Sequence, residues 1–160
     1  MPLILWSLRA LVLTAAPLTV LFPLLTMNTK RKAINKLSEL SKELSCFKTY
    51  DIRGEIDVNI NAEIVYRIGR AISQHFSAKS VVIGYDARET SPTFATAMAK
   101  GIQDFGSNAI NIGLAGTEEM YWAVSEFGAC AGIEITASHN PINYNGIKIV
   151  KSKSQPLDEE

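Results

Sequence analysis

The run Gly132-Ile133-Glu134-Ile135-Thr136-Ala137-Ser138-His139-Asn140-Pro141, followed by Asn143-Tyr144-Asn145-Gly146-Ile147-Lys148, holds the residues of this sequence best suited to chemistry. A serine directly after an apolar strand, followed by small polar residues and a proline, sits on a tight loop with its hydroxyl toward solvent. A nucleophile belongs in such a place. Taken alone, Ser138-His139-Asn140-Pro141 is also a plain turn sequence. The Gly-x-Ser-x-Gly elbow of acyl-transferring α/β enzymes is missing, so a Ser-His-Asp triad has little support.

Other segments carry groups that suit an anion. Arg53, in Tyr50-Asp51-Ile52-Arg53-Gly54, is a fixed cation that can grip two phosphate oxygens at once or pair with Asp51. Asp86 and Arg88, in Gly84-Tyr85-Asp86-Ala87-Arg88, read as a structural ion pair fixing the loop behind the serine. Lys148 is either a solvated strand-end lysine or a group that moves a proton. Glu118 and Glu119 are expected to serve a helix dipole, and His75 to lie on the surface.

The elements that must position these loops alternate. Ile64, Val65, Ile68, Ala71, Ile72 and Phe76 repeat with helical period after the cap Asn61. Val81-Val82-Ile83, ended by Gly84, reads as a strand buried on both faces. Ser91 as cap and Pro92 in the first turn open the next helix, with Phe94, Met98, Ile102 and Phe105 as its core stripe and Gly106 as its stop. Residues 109–112 form a strand, Thr117 caps a further helix, and residues 131–136 form another strand. An α/β fold follows, with a mixed, partly parallel sheet flanked by helices and the working loops after Tyr50, Gly84, Gly113 and Thr136.

Sixteen basic residues balance sixteen acidic ones, so no global field gathers nucleic acid, and no nucleic-acid partner is expected. With 160 residues the chain can bury one core. Cys46 and Cys130 lack the paired spacing of a zinc site or a redox dithiol and read as idle thiols of a reducing cytoplasm. Residues 1–27 differ from the rest, with Arg9 as their only charge. They read as an apolar extension upstream of a true start at Met27, or as a membrane segment over residues 3–27, which Pro17 and Pro23 would interrupt. The cluster Lys30, Arg31, Lys32 and Lys36 would suit a cytoplasmic flank, so an anchored form with a cytoplasmic domain is the alternative. Residues 28–45 are expected as an amphipathic lead-in helix, with Ile34, Leu37, Leu40 and Leu44 at helical spacing, and 46–160 as the globular domain.

Thr136-Ala137-Ser138-His139-Asn140-Pro141 resembles the active-site signature of the α-D-phosphohexomutases. In the same order, Tyr50-Asp51-Ile52-Arg53-Gly54 resembles the family's early substrate loop, Gly84-Tyr85-Asp86-Ala87-Arg88 its Gly-x-Asp-x-Arg segment, and Asn145-Gly146-Ile147-Lys148 its Asn-Gly-x-Lys. Cys46-Phe47-Lys48, Gly116-Thr117-Glu118-Glu119-Met120-Tyr121 and Glu134 look most like the family's bacterial phosphomannomutase branch. The resemblance covers about Cys46 to Val150.

It implies the family's α/β/α domain I and an isomerase that interconverts mannose 6-phosphate and mannose 1-phosphate, for GDP-mannose supply, through a sugar bisphosphate that also acts as activator. Ser138 would carry the transferable phosphate, and Lys148 would move the hydroxyl proton. Tyr50, Arg53, His139 and Asn140 would bind substrate and shape the loop. Mg²⁺ would bind the Ser138 phosphate, its other ligands coming from an Asp-Gly-Asp-x-Asp-Arg segment that this sequence lacks. The family's site lies among four domains, so the chain is expected to be a first domain cut short, inactive alone. The alternatives are a non-catalytic binding remnant and phosphoglucomutase specificity.

Overall fold

The apolar run Val81-Val82-Ile83 lies fully buried in strand β2 (Ser80–Tyr85), which has packing on both faces, as its sequence requires. A computed structural model describes residues 3–14, 44–49 and 51–157 of the chain. Around β2 stand β1 (Ile52–Glu55), β3 (Asn108–Leu114), β4 (Ala131–Ile135) and β5 (Tyr144–Lys151), in the order β1-β5-β4-β2-β3. β2 pairs parallel to β3 and β4, whereas β5 runs antiparallel to β4 and β1. The mixed sheet expected from the sequence is thus present.

Helices α2 (Ala62–His75) and α3 (Ser91–Phe105) cover one face, where Ile64, Val65, Ile68 and Ile72 meet Phe94, Met98 and Ile102 over Val81, Ile83, Ile133 and Ile149. The opposite face packs Val82 and Val150 under Met120, Ala123 and Val124 of α4 (Thr117–Glu126). Burying an aliphatic side chain of this kind stabilises by roughly 1.5–3 kcal/mol.

The crossing of α2 and α3 depends on glycine. A Cβ on Gly101 would lie 2.1 Å from the Tyr66 carbonyl oxygen, and one on Gly69 2.6 Å from that of Met98. Gly101→Ala is therefore expected to destabilise by about 2 kcal/mol, because the ~1 kcal/mol helix preference of alanine is smaller than the overpacking cost. Urea unfolding should show a lower midpoint at unchanged slope.

Several local expectations need correction. Asn61 caps α2 as expected, its side chain accepting from the Ile64 N–H at 2.9 Å. The residue before α3 is Thr90, not Ser91, because the Ser91 hydroxyl is committed to Asp86 at 2.6 Å. Gly116, not Thr117, precedes α4, and its N–H donates to the Glu119 carboxylate at 2.6 Å. Phe105 is 40% exposed at the end of α3 and lies outside the core.

At the amino end, α1 (Leu3–Thr14) packs on α2, burying Leu5, Leu8 and Val12 in the main core. Arg67 donates to the Val12 carbonyl at 2.7 Å. His75 is half-buried and meets the Ser7 hydroxyl at 3.1 Å, so it is not a free surface residue, and burial lowers its pKa. At 12 residues α1 spans about 18 Å, against ~30 Å of bilayer hydrocarbon. Among the described residues no helix is long and apolar enough to cross a membrane. The lead-in helix expected over 28–45 lies outside the described residues, apart from Leu44 and Ser45.

Candidate active site

The loop after β4 brings Ser138 to the surface in a strained conformation. Its φ is +54°, in the left-handed region that serine seldom adopts. The Ser138 N–H donates to the Thr136 hydroxyl at 2.9 Å, and the side chain is exposed, with Oγ 3.3 Å from His139 Nδ1. His139 is also exposed.

Arg88 holds this loop from beneath. Its guanidinium donates four hydrogen bonds, to the carbonyls of Ser138, Asn140, Pro141 and Tyr144, at 2.9, 2.7, 2.8 and 3.0 Å. Asp86 orients the guanidinium, its Oδ2 lying 3.3 Å from Nε. The structural ion pair expected from the sequence therefore forms, and its main effect is exerted through the loop carbonyls. Asp86 Oδ1 also accepts from the Arg88 N–H at 3.0 Å and from the Ser91 hydroxyl at 2.6 Å.

Asn145 completes this support, and sequence reasoning missed its role. Fully buried on β5, it donates to the hydroxyls of Thr90 and Ser91 at 2.8 and 3.0 Å and accepts from the Gly146 N–H at 2.8 Å. It ties β5 to the start of α3, and so to Asp86. The available signal was an asparagine beside an apolar strand.

From the sheet edge, Arg53 donates to Asn140 Oδ1 at 2.7 Å and pairs with Asp51. Both expected uses of Arg53 remain compatible, since its partners lie at the rim of the serine loop. Tyr50 lies outside the described residues. A cavity of about 410 Å³ is lined by Asp86, Ala87, Arg88, Ser138, Asn140 and Ile142. Ser138, His139, Asn140 and Arg53 are thus brought together. Lys148 stands on the neighbouring strand, exposed and across from Glu134.

Glu134 is the anomaly of the site's floor. It is 1% exposed, and neither carboxyl oxygen has a hydrogen-bond partner. Burial first, and then the nearby Asp86 and Glu119, push its pKa from an ordinary 4.5 up to about 8. The folded chain therefore holds this proton more tightly than the unfolded chain. The resulting stability is fully present below about pH 4.5 and is lost as pH rises to about 8. Thermal melts across that window should show a falling Tm, and Glu134→Gln should flatten the fall. Cys46 is buried too, its thiol pushed up to about 11 by desolvation, as suits an idle thiol.

No group of three or more His, Cys, Asp or Glu that could hold a metal ion occurs among the described residues. From its described residues the site offers a cation an exposed hydroxyl and no cluster of carboxylates.

Residues 45–160 match the family described as "Phosphoglucomutase/phosphomannomutase, alpha/beta/alpha domain I". The chain belongs to this family. Among its phosphomannomutase relatives, that of Escherichia coli K12 is 48% identical over 116 residues, covering 72% of this chain and 25% of that protein. A phosphomannomutase of Klebsiella pneumoniae is 48% identical over 115 residues, covering 72% of this chain and 73% of that one. A crystal structure of a phosphoglucomutase/phosphomannomutase family protein from Burkholderia thailandensis aligns with TM-score 0.63 at 33% identity, over 68% of this chain and 26% of that one. The chain thus spans about a quarter of the length of most such relatives. Its five-stranded sheet and flanking helices agree with the family's domain I.

Proposed function

We propose that this chain carries the phosphoserine step of a phosphohexomutase, an isomerase acting between mannose 6-phosphate and mannose 1-phosphate. The supporting observation is Ser138, exposed on a left-handed turn whose carbonyls are pinned by Arg88. Such pinning holds the oxygen that must line up with an incoming phosphoryl group, and positioning is most of what phosphoryl transfer asks of a protein.

In the forward step the bond between phosphorus and Ser138 Oγ breaks as a bond to the sugar hydroxyl oxygen forms. The hydroxyl proton passes to Lys148 acting as base. In the return step the opposite phosphate is transferred to Ser138 Oγ, and Lys148 gives the proton back. Arg53 and Asn140 would bind the substrate's phosphate or hydroxyl oxygens, with His139 and Tyr50 shaping the loop. Mg²⁺, when bound, would neutralise charge on the transferring group, the Ser138 phosphate being the ligand this chain supplies. The proposed setting is carbohydrate metabolism in the cytoplasm, supplying GDP-mannose.

The test is to incubate the chain with Mg²⁺ and mannose 1,6-bisphosphate carrying labelled phosphate, then map the label by peptide mass spectrometry. Label on Ser138 supports the reading. Label elsewhere, or none in a folded chain, would sink it and favour a non-catalytic binding remnant. Labelling by glucose 1,6-bisphosphate alone would move the specificity to glucose.

A further inference from the structure

Strands β4 and β5 place Glu134 and Lys148 directly opposite one another, so both side chains rise from the same face of the sheet. This is the face covered by α4, whose body packs on the next pair along the strands, Gly132 and Val150. Glu134 lies beyond that packing, under the start of α4. Its carboxyl rests against β2 so closely that a Cβ on Gly84 would meet Glu134 Oε2 at 2.4 Å. Both of its oxygens are buried and unpartnered.

The charged groups around it are Asp86 from the loop after β2, Glu118 and Glu119 from α4, and Lys148 from β5. Of these, Lys148 alone carries positive charge. Its ammonium has no hydrogen bond or ion pair among the described residues, whose ion pairs are those of Arg53, Arg88 and Lys100. Two unpartnered ionisable groups, opposite in sign when both are charged, therefore face each other, one fixed and buried, the other on a flexible four-carbon stem.

We propose that Glu134 is the positioning partner of Lys148. Once ionised, the buried carboxylate draws the ammonium down onto the sheet and so fixes where the lysine nitrogen lies. Glu134 does not touch the sugar in this scheme; it acts through Lys148. The inference rests on the acid-base reading of Lys148 given under the proposed function.

The experiment is an NMR pH titration of the 160-residue chain with labelled lysine side chains, the Lys148 signal being assigned from its loss in Lys148→Met. In Glu134→Gln the Lys148 midpoint is expected to fall by about one pH unit, since an opposite charge at this range favours the ammonium. An unchanged midpoint in a folded Glu134→Gln chain overturns the proposal. Should that variant fail to fold, Lys148→Met reads the same coupling from the other side. The Glu134 carboxyl, followed by its carbon shift, should then titrate at higher pH, and an unchanged midpoint again overturns the proposal. These readouts need no phosphate transfer. A lysine that is coupled to Glu134 but dispensable for labelling of Ser138 would refute the acid-base role and leave the coupling standing.

Discussion

Ser138→Ala is expected to abolish phosphate incorporation from a hexose bisphosphate while leaving the fold within about 0.5 kcal/mol of the parent. The small stability effect follows from the exposure of the Ser138 side chain, whose hydroxyl has one hydrogen-bond partner among the described residues, His139 Nδ1 at 3.3 Å. The loop bonds made by Ser138 use its backbone, the N–H to Thr136 and the carbonyl to Arg88, and alanine keeps both. The left-handed φ of 54° strains alanine about as much as serine. The loss of labelling follows because no other hydroxyl is presented to solvent by this loop, Thr136 being turned to the Ser138 N–H. Denaturant unfolding and labelling, read on one preparation, separate the two effects. A Ser138→Ala chain that still took up label would show that the acceptor is another residue.

Arg88→Ala carries the largest structural cost of any single change at the site. Four carbonyls lose a charged donor together, and Asp86 loses its ion-pair partner. Hydrogen bonds to charged groups contribute about 1.5–3 kcal/mol each, but the four share one guanidinium and their loop can turn to water. The net destabilisation is expected to be on the order of 3 kcal/mol. Amide exchange in residues 138–146 should accelerate, and labelling of Ser138 should fall at least about tenfold, one decade per 1.4 kcal/mol of lost positioning. Arg88→Lys should recover part of the stability and little of the labelling, because a single ammonium cannot reach four divergent carbonyls. Full labelling by folded Arg88→Ala would remove Arg88 from the account of how the serine is held.

The serine loop and its supports were legible because turn chemistry is local. Ser138, Asn140 and Pro141 announce a tight loop wherever they follow a strand, and Asp86 two residues before Arg88 announces a fixed guanidinium. What that guanidinium binds depends on a loop fifty residues further on, and local pattern cannot supply it. β5 was hidden for another reason. Asn145 and Gly146 interrupt its apolar alternation, since one makes a buried bridge to Thr90 and Ser91 and the other passes close to the Ile52 carbonyl. The docking of α1 on α2 was equally unreadable, because Leu5, Leu8 and Val12 would look the same facing lipid or a neighbouring helix. Phe105 followed its helical period, but it is the last residue of α3 and stays 40% exposed.

The sheet order has a consequence for synthesis. Among the described residues β1 stands at one edge with β5 as its one neighbouring strand, so a strand made early must wait for the last of these five. While a ribosome is still delivering the residues between them, β2, β3 and β4 can already associate in parallel, with α2, α3 and α4 closing over them. Arg53, carried on β1, can meet Asn140 only after β5 has emerged and turned back. Substitutions that loosen the β1–β5 pairing would then delay the maturation of the phosphate-gripping rim more than the collapse of the core, and nascent chains would pass through an interval with β1 unpaired and open to other strands.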